Sequence, residues 1–334
     1  MNDRALYPYV LEPKETTAIW GGESWKCWDS NRVRDGALAG KTLAELRSIL
    51  GARLLGTLDP QRIFPILTKI ITANDWLSVQ VHPDDAYAQR VEHQPNGKTE
   101  SWYIFSAQPD SELVFGWTRE TSRAEYERRV ADGTLGDLLR RIPVKAGDAF
   151  YLPAGTLHAI GAGIVLFETQ QASDLTYRIF DWNRVGPDGT PRPLHVEKAA
   201  DVLNYHAESG GAVETIEYRF ESLDRTVLIA DRNFIVERIV ATQEPSSIPT
   251  HDRPLIFMPL ERELRLSCEG DEVVLAQHET AIVPAGARRC SVCTSDGVSP
   301  FMFVTPPPED RFIATQLLAA GVDPSRINRF LEQF

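Results

Sequence analysis

The sequence predicts a mainly β fold built from two barrels, with helical insertions in the first and a helical tail at the C-terminus. Three observations predict it. From Pro143 onward the chain breaks into short apolar strands separated by Gly and Pro turns, the spacing of an all-β barrel or sandwich. Trp76 to His82 alternates strictly, which is the period of a strand. Finally, Gly147-Asp148-Ala149-Phe150-Tyr151-Leu152-Pro153-Ala154-Gly155 returns as His278-Glu279-Thr280-Ala281-Ile282-Val283-Pro284-Ala285-Gly286, with an acidic residue, an apolar run and Pro-Ala-Gly in register. One strand-turn-strand unit is therefore predicted twice.

In chain order, Lys41 to Leu50 and Pro60 to Ile71 carry apolar residues at helical spacing and predict a helical cover. The alternating strand follows. A Pro-Asp-Asp stretch then opens a short helix at about Asp84 to His93, and the Pro95-Asn96-Gly97 turn leads into a strand from Glu100 to Phe105. Glu120 to Ile142 is rich in charged helix formers and predicts an exposed helical excursion, about 120–142, broken at Asp132-Gly133. Short strands are expected at Ala149 to Leu152, Leu157 to Ala159 and Ile164 to Thr169. Pro191 to Tyr205 reads as a crossover with a helix at His195 to Asn204. Pro308 to Phe334 reads as two short helices divided at Gly321 to Pro324, with Phe312, Leu317, Leu318, Ile327, Phe330 and Leu331 packed on the barrel. The domains expected are 1–205, a first barrel with its helical cover, 206–305, a second barrel, and 306–334, the helical tail.

At 334 residues the chain is long enough for two core-bearing domains. Its formal charge of -12 argues against a nucleic-acid or anionic-membrane partner, which would be bound through clustered Lys and Arg. Any anionic ligand needs a local cationic pocket. Met1 to Tyr9 has no apolar signal-peptide core and no stretch is apolar enough for a membrane span, so a cytoplasmic protein is expected. Cys27, Cys268, Cys290 and Cys293 are too few and scattered for a disulfide framework and are expected reduced. Cys290 and Cys293 form a CxxC, but three residues apart on a strand places them on opposite faces. They read as residues of a sheet rather than a zinc or redox pair.

On the alternating strand, Trp76, Ser78, Gln80 and His82 share one face. Lys98, Glu100 and Trp102 share a face of the next, and His158 follows the Pro-Ala-Gly turn where a further strand begins. Two imidazoles, a carboxylate and an amide oxygen suit zinc and its first-row neighbours, with positions left open for a substrate. The residues alone leave a solvated strand face equally open. In the second copy of the repeat, Arg289 stands where His158 does, so the second barrel is expected to be degenerate.

The stretches Leu77-Ser78-Val79-Gln80-Val81-His82-Pro83-Asp84-Asp85, Gly97-Lys98-Thr99-Glu100-Ser101-Trp102-Tyr103 and Pro153-Ala154-Gly155-Thr156-Leu157-His158-Ala159-Ile160-Gly161 resemble the motifs of type I mannose-6-phosphate isomerases. So does Glu168 to Arg178, with Ser173-Asp174 and Thr176-Tyr177-Arg178, followed by Leu194-His195-Val196-Glu197-Lys198-Ala199. The motifs keep the family's order across about residues 60–205. Trp20-Gly21-Gly22 also resembles a family motif, but Gly22-Glu23-Ser24-Trp25 follows it directly, without the usual intervening segment, and residues 213–305 match only loosely.

The resemblance implies a double cupin, a jelly-roll β-barrel repeated, that interconverts mannose 6-phosphate and fructose 6-phosphate through an enediol. It implies one zinc ion per chain on Gln80, His82, Glu100 and His158, other divalent first-row metals being suited to the same donors. Arg178 matches the family's active-site arginine, and Lys98 and Glu168 its pocket lysine and carboxylate. Either Glu168 or Lys98 is expected as the base, the latter if a neighbouring metal and arginine lower its pKa. Ser78, Lys98 and Arg178 are the candidates for holding the sugar phosphate. Other readings fit the barrel: a cupin enzyme acting on another sugar phosphate, a cupin with iron or manganese doing dioxygenase or epimerase chemistry, and a non-catalytic sugar-phosphate-binding module. A monomer or weak homodimer is expected.

Overall fold

The computed structural model describes residues 6–59, 61–185, 189–207, 210–309 and 311–334. Part of the opening segment Met1 to Tyr9, Pro60 at the expected helix start and Asp310 in the tail lie outside the described residues. The chain is mainly β and forms two compact units. One comprises Glu15–Ser24 and Lys69–Val213; the other comprises Met1–Lys14, Trp25–Thr68 and Glu214–Phe334. The N-terminal residues join the latter because the strand Tyr9–Leu11 pairs antiparallel with Thr280–Val283. Among the described residues no helix is long and apolar enough to cross a membrane.

In the unit holding residues 69–213, a five-stranded sheet runs Tyr177–Phe180, Val79–Val81, His158–Ile160, Glu112–Trp117, Leu139–Pro143. It faces strands Ile164–Gln171, Glu100–Ala107 and Ala149–Leu152 of a second sheet. The period of two sorts the side chains. Leu113, Phe115 and Ile160 point inward and meet Trp102, Ile104, Phe150, Leu152, Ile164 and Leu166 in a closed apolar core. Val79, Val81, Val114 and Ala159 point outward and are covered by Tyr126, Ala199 and Ala200, which come from helices Arg123–Ala131 and Val196–Val202. Gln80 and His158 alternate with those outward residues and face in.

Two expected elements change identity. The described part of Pro60 to Ile71 is not a helix: Ile66–Ala73 is a strand, buried at every position but Thr72. A strand covered on both faces needs apolar residues throughout, so its spacing imitates helical periodicity. The excursion at 120–142 keeps its helix, Arg123–Ala131, capped by the Ser122 side chain, and a short 3-10 turn at Leu135–Leu138, but Leu139–Pro143 completes the five-stranded sheet. Its apolar pair, Leu139 and Ile142, is buried in the sheet.

The other unit repeats the plan. A seven-stranded sheet and the four-stranded sheet Ser246–Pro249, Arg289–Thr294, Leu264–Cys268, Asp271–Leu275 enclose Phe257, Phe301, Phe303, Leu264, Leu266 and Val292. The internal echo is a real structural repeat: Ala149–Leu152 and Thr280–Val283 each end at the Pro-Ala-Gly turn, and the chain then crosses into the smaller sheet as His158–Ile160 or Arg289–Thr294. Arg289 is exposed where His158 is buried. The tail forms helices Phe312–Ala319 and Pro324–Leu331, with Leu317, Ile327 and Phe330 packed on Ile216, Tyr218 and Val227. Leu318 departs from expectation at 51% exposure, being on the helix side away from that cluster.

Candidate metal centre

The residues that follow the strand Val79–Val81 are held by short-range bonds. Asp84 caps its helix by accepting from Tyr87 N at 2.7 Å, and Asp85 Oδ1 accepts from Gly97 N at 2.8 Å. Gly97 is required here, since a Cβ would stand 2.4 Å from Pro83 O. Lys98 N then donates to Pro83 O at 3.0 Å, which fixes the lysine beside the start of the strand Glu100–Ala107. Gly155 adopts φ +89° in the turn before His158, and its N–H donates to His82 O at 2.9 Å. Register completes the grouping: His158 and Arg178 both stand opposite Gln80, so the three side chains share one face.

These elements converge on Glu100, a fully buried carboxylate. His158 Nε2 lies 3.2 Å from its Oε1 and His82 Nε2 3.3 Å from its Oε2. Each imidazole is oriented from behind: His82 Nδ1 donates to Leu175 O at 2.8 Å and His158 Nδ1 to Thr156 O at 2.9 Å, leaving both Nε2 lone pairs aimed inward. Burial, then the Lys98 charge, pushes His82 down to about 3, and burial likewise lowers His158. Both rings are neutral at physiological pH, as metal donors must be. Burial would raise the Glu100 carboxyl, but the Lys98 charge outweighs it, and the carboxyl is held well below its ordinary value.

Among the described residues, His82, Glu100 and His158 are the one group of three such side chains arranged to hold a metal ion, with ligand atoms within 4.8 Å of one another. The spacing passes a simple test. Two donors about 2.1 Å from a common tetrahedral ion are about 3.4 Å apart, close to the 3.2 and 3.3 Å observed. Both Glu100 oxygens are buried without a well-formed hydrogen bond, although Lys98 Nζ stands 2.8 Å from Oε2. Buried lone pairs left in this state suit a cation.

The other predicted residues take distinct places. Gln80 Nε2 is 3.2 Å from His158 Nε2. Lys98 Nζ also donates to His82 Nε2 at 3.1 Å. Burial would lower the Lys98 pKa, but Glu100 and then Glu168 outweigh it and hold the ammonium above its ordinary value. Glu168 lies two residue pairs from Glu100 along the same two strands, opposite Trp102, whose Nε1 donates to Glu168 Oε1 at 3.1 Å. Burial raises its pKa. Arg178 directs Nη1 to Pro193 O at 2.9 Å, while its buried Nε has no hydrogen-bond partner. Ser78 is buried on the same strand face, two residues before Gln80.

Sequence reasoning missed Lys69. It is 3% exposed on the strand Ile66–Ala73, with Nζ 3.2 Å from Glu168 Oε2 and 3.7 Å from Glu23 Oε1. A single lysine inside Ile66-Leu67-Thr68-Lys69-Ile70-Ile71 was its signal, hidden once that run was read as a helix. His195 was noted only as part of a motif; its Nδ1 accepts from Arg178 N at 3.1 Å and so braces the arginine strand.

A two-sheet barrel with inward His, Glu and His side chains grouped together defines a cupin with a candidate metal site. Residues 5–116 match the model of "Phosphomannose isomerase type I, catalytic domain". The chain is 42% identical over 225 residues to mannose-6-phosphate isomerase of Streptococcus mutans, covering 67% of this chain and 69% of that protein. It is 40% identical over 216 residues to mannose-6-phosphate isomerase ManA of Bacillus subtilis, covering 59% and 68%. The crystal structure of the mannose 6-phosphate isomerase from Bacillus subtilis superposes with a TM-score of 0.80 at 28% identity, over 89% of this chain and 99% of that one. The chain belongs to the type I phosphomannose isomerase family.

Proposed function

We propose that the protein is a mannose-6-phosphate isomerase that interconverts mannose 6-phosphate and fructose 6-phosphate. The observation that carries this reading is the buried Glu100 carboxylate with two neutral, pre-oriented imidazoles 3.2 and 3.3 Å away, in a chain of this family. Zinc, one ion per chain, is the metal we assign to Gln80, His82, Glu100 and His158, because a two-histidine, one-carboxylate set with open positions is a catalytic zinc donor set. A half-turn of the Gln80 amide brings Oε1 to the place of Nε2, beside His158. Bound there, the metal supplies electrophilic polarisation of the substrate oxygens.

The reaction removes a proton next to a carbonyl, passes through an enediol and returns the proton to the neighbouring carbon. Glu168 is our choice of base: burial brings its pKa toward the working range, and the Trp102 hydrogen bond fixes its direction. Lys98, held protonated by Glu100 and Glu168, serves better as a donor to substrate oxygen or phosphate than as a base. Arg178, with an unpaired buried Nε opposite Gln80, supplies a fixed positive charge for a developing oxyanion or for orientation. Ser78 and Lys98, with Arg178, are the donors we assign to the phosphate. Held at its far end, the sugar presents C1 and C2 to the barrel mouth. Four free thiols accord with a cytoplasmic setting. We propose a monomer or weak homodimer.

The test is conversion of mannose 6-phosphate followed by NMR on purified protein, repeated after chelation and after returning zinc. Conversion that vanishes and returns is expected. A tightly metallated protein that converts no mannose 6-phosphate would refute the assignment in favour of another sugar phosphate or a binding role.

A further inference from the structure

Outside the site, the most specific unassigned chemistry is a pair of buried thiols in the unit that includes residues 214–334. Strands Leu264–Cys268 and Arg289–Thr294 pair antiparallel, with Leu264 opposite Thr294, Arg265 opposite Cys293, Leu266 opposite Val292 and Ser267 opposite Ser291. One step further, the same register sets Cys268 opposite Cys290. Both are core residues, 1% and 0% exposed, packed with Leu266, Ile248 and Val292. They are free thiols in hydrogen-bonding contact, and that contact, followed by burial, pushes the Cys290 thiol up. The CxxC partner Cys293 is excluded by geometry, since alternation turns it to the half-exposed face.

We propose that Cys268 and Cys290 form a latent cross-strand disulfide site, closed by a low-molecular-weight disulfide such as oxidised glutathione. Directly opposed residues of an antiparallel pair have Cα atoms about 4.5–5.5 Å apart, inside the window of about 4.4–6.8 Å that a disulfide requires. Access comes from one end. Cys268 is the last residue of its strand, followed by the exposed turn Glu269-Gly270, with φ values of +50° and +95°, and by the edge strand Asp271–Leu275. When that hairpin end opens, one cysteine attacks the small disulfide and releases one small thiol. The other cysteine then displaces the second. Two protein S–H bonds and one S–S bond break, one protein S–S bond forms, and the two protons leave on the two small thiols. While the strand is closed, burial and the raised Cys290 thiol keep the pair reduced.

The test uses the full chain incubated with oxidised glutathione, denatured in iodoacetamide and mapped by mass spectrometry. The expected result is a peptide linking Cys268 to Cys290, two hydrogens lighter than its parts. A second readout is the melting temperature, expected to rise by about 5 °C on oxidation, to fall back on reduction and to stay unmoved in Cys268→Ala. Cys293, on the accessible face, serves as the internal control for oxidant. Cys293 carrying glutathione while Cys268 and Cys290 are both alkylated, or a link from either to Cys293, would overturn the proposal.

Discussion

Glu168→Gln separates the chemistry of the barrel from its stability. The glutamine keeps an oxygen for the Trp102 Nε1–H, now at 3.1 Å, but removes the charge that faces Lys69 at 3.2 Å. Both partners are almost fully buried, at 4% side-chain exposure each. Breaking a buried pair from one side costs about 3–5 kcal/mol. Glu23, 3.7 Å from Lys69 and 21% exposed, retains part of the compensation, so a loss of about 2–4 kcal/mol is expected. For a domain of this size that is a fall of about 2–4 °C in melting temperature per kcal/mol. Lys69→Met beside Glu168→Gln removes the orphaned ammonium and keeps most of its apolar stem, so the double variant should regain most of the stability. Turnover should not follow. Loss of a general base lowers kcat about 10²–10⁴-fold, and both variants should be equally impaired with full metal content by elemental analysis. Calorimetry and NMR-followed isomerisation measure the two arms. A double variant that recovered rate together with stability would make Glu168 a structural partner of Lys69 and remove it from the mechanism.

His158→Ala and Glu100→Ala should lose bound metal and activity together, whereas Arg178→Ala should keep metal and lose turnover; an Arg178→Ala protein with normal rates removes that residue from the site. Acid should destabilise the metal-free fold. His82 has a folded pKa of about 3, below its unfolded value of about 6.5, so its contribution is complete above pH 6.5 and is lost as pH falls toward 3. Between pH 6.5 and 5 the loss is at most about 2 kcal/mol, to be read as a falling melting temperature after chelation; a flat profile would contradict the neutral, buried imidazole. In the tail, Leu317→Ala should cost about 2–5 kcal/mol and Leu318→Ala under about 0.5, because Leu317 is fully buried and Leu318 half-exposed. Equal losses in denaturant titrations would show that the tail helix packs on its other side.

What could be read from the sequence followed from locality. Gln80 with His82, and Lys98 with Glu100, are two residues apart in runs that read as strands, so alternation places each pair on one face without knowledge of the fold. Turn glycines and the repeated Pro-Ala-Gly marked where strands cross between sheets. Lys69, Cys268 and the strand Ile66–Ala73 were not legible, for one reason: each depends on what covers it. A strand buried on both faces carries no period of two, a lone lysine in it has meaning only opposite Glu168, and a cysteine pair exists only through the register of strands 22 residues apart. The base was also undecidable from sequence. Lys98 could be pushed either way by its neighbours, and it is the placement of Glu100 at 2.8 Å that holds it protonated.

The two units show how little separates a barrel with an inward histidine from one without. Both send a strand through a Pro-Ala-Gly turn into the smaller sheet, yet the first presents His158 inward and the second leaves Arg289 outside, bonded to Ser247 Oγ at 2.7 Å. In the second unit one buried carboxylate is fully served: Glu237 pairs with Arg225 and also accepts from Tyr218 Oη at 2.7 Å. That carboxylate has its donors, and its stability follows from their number. Glu100 lacks them. Its other neighbours are neutral imidazoles whose own N–H groups point away to Thr156 O and Leu175 O, an arrangement that suits a cation. The difference between these two buried carboxylates is therefore one of hydrogen-bonding demand: Glu237 is met by Arg225 and Tyr218, whereas Glu100 keeps lone pairs that a bound cation would complete.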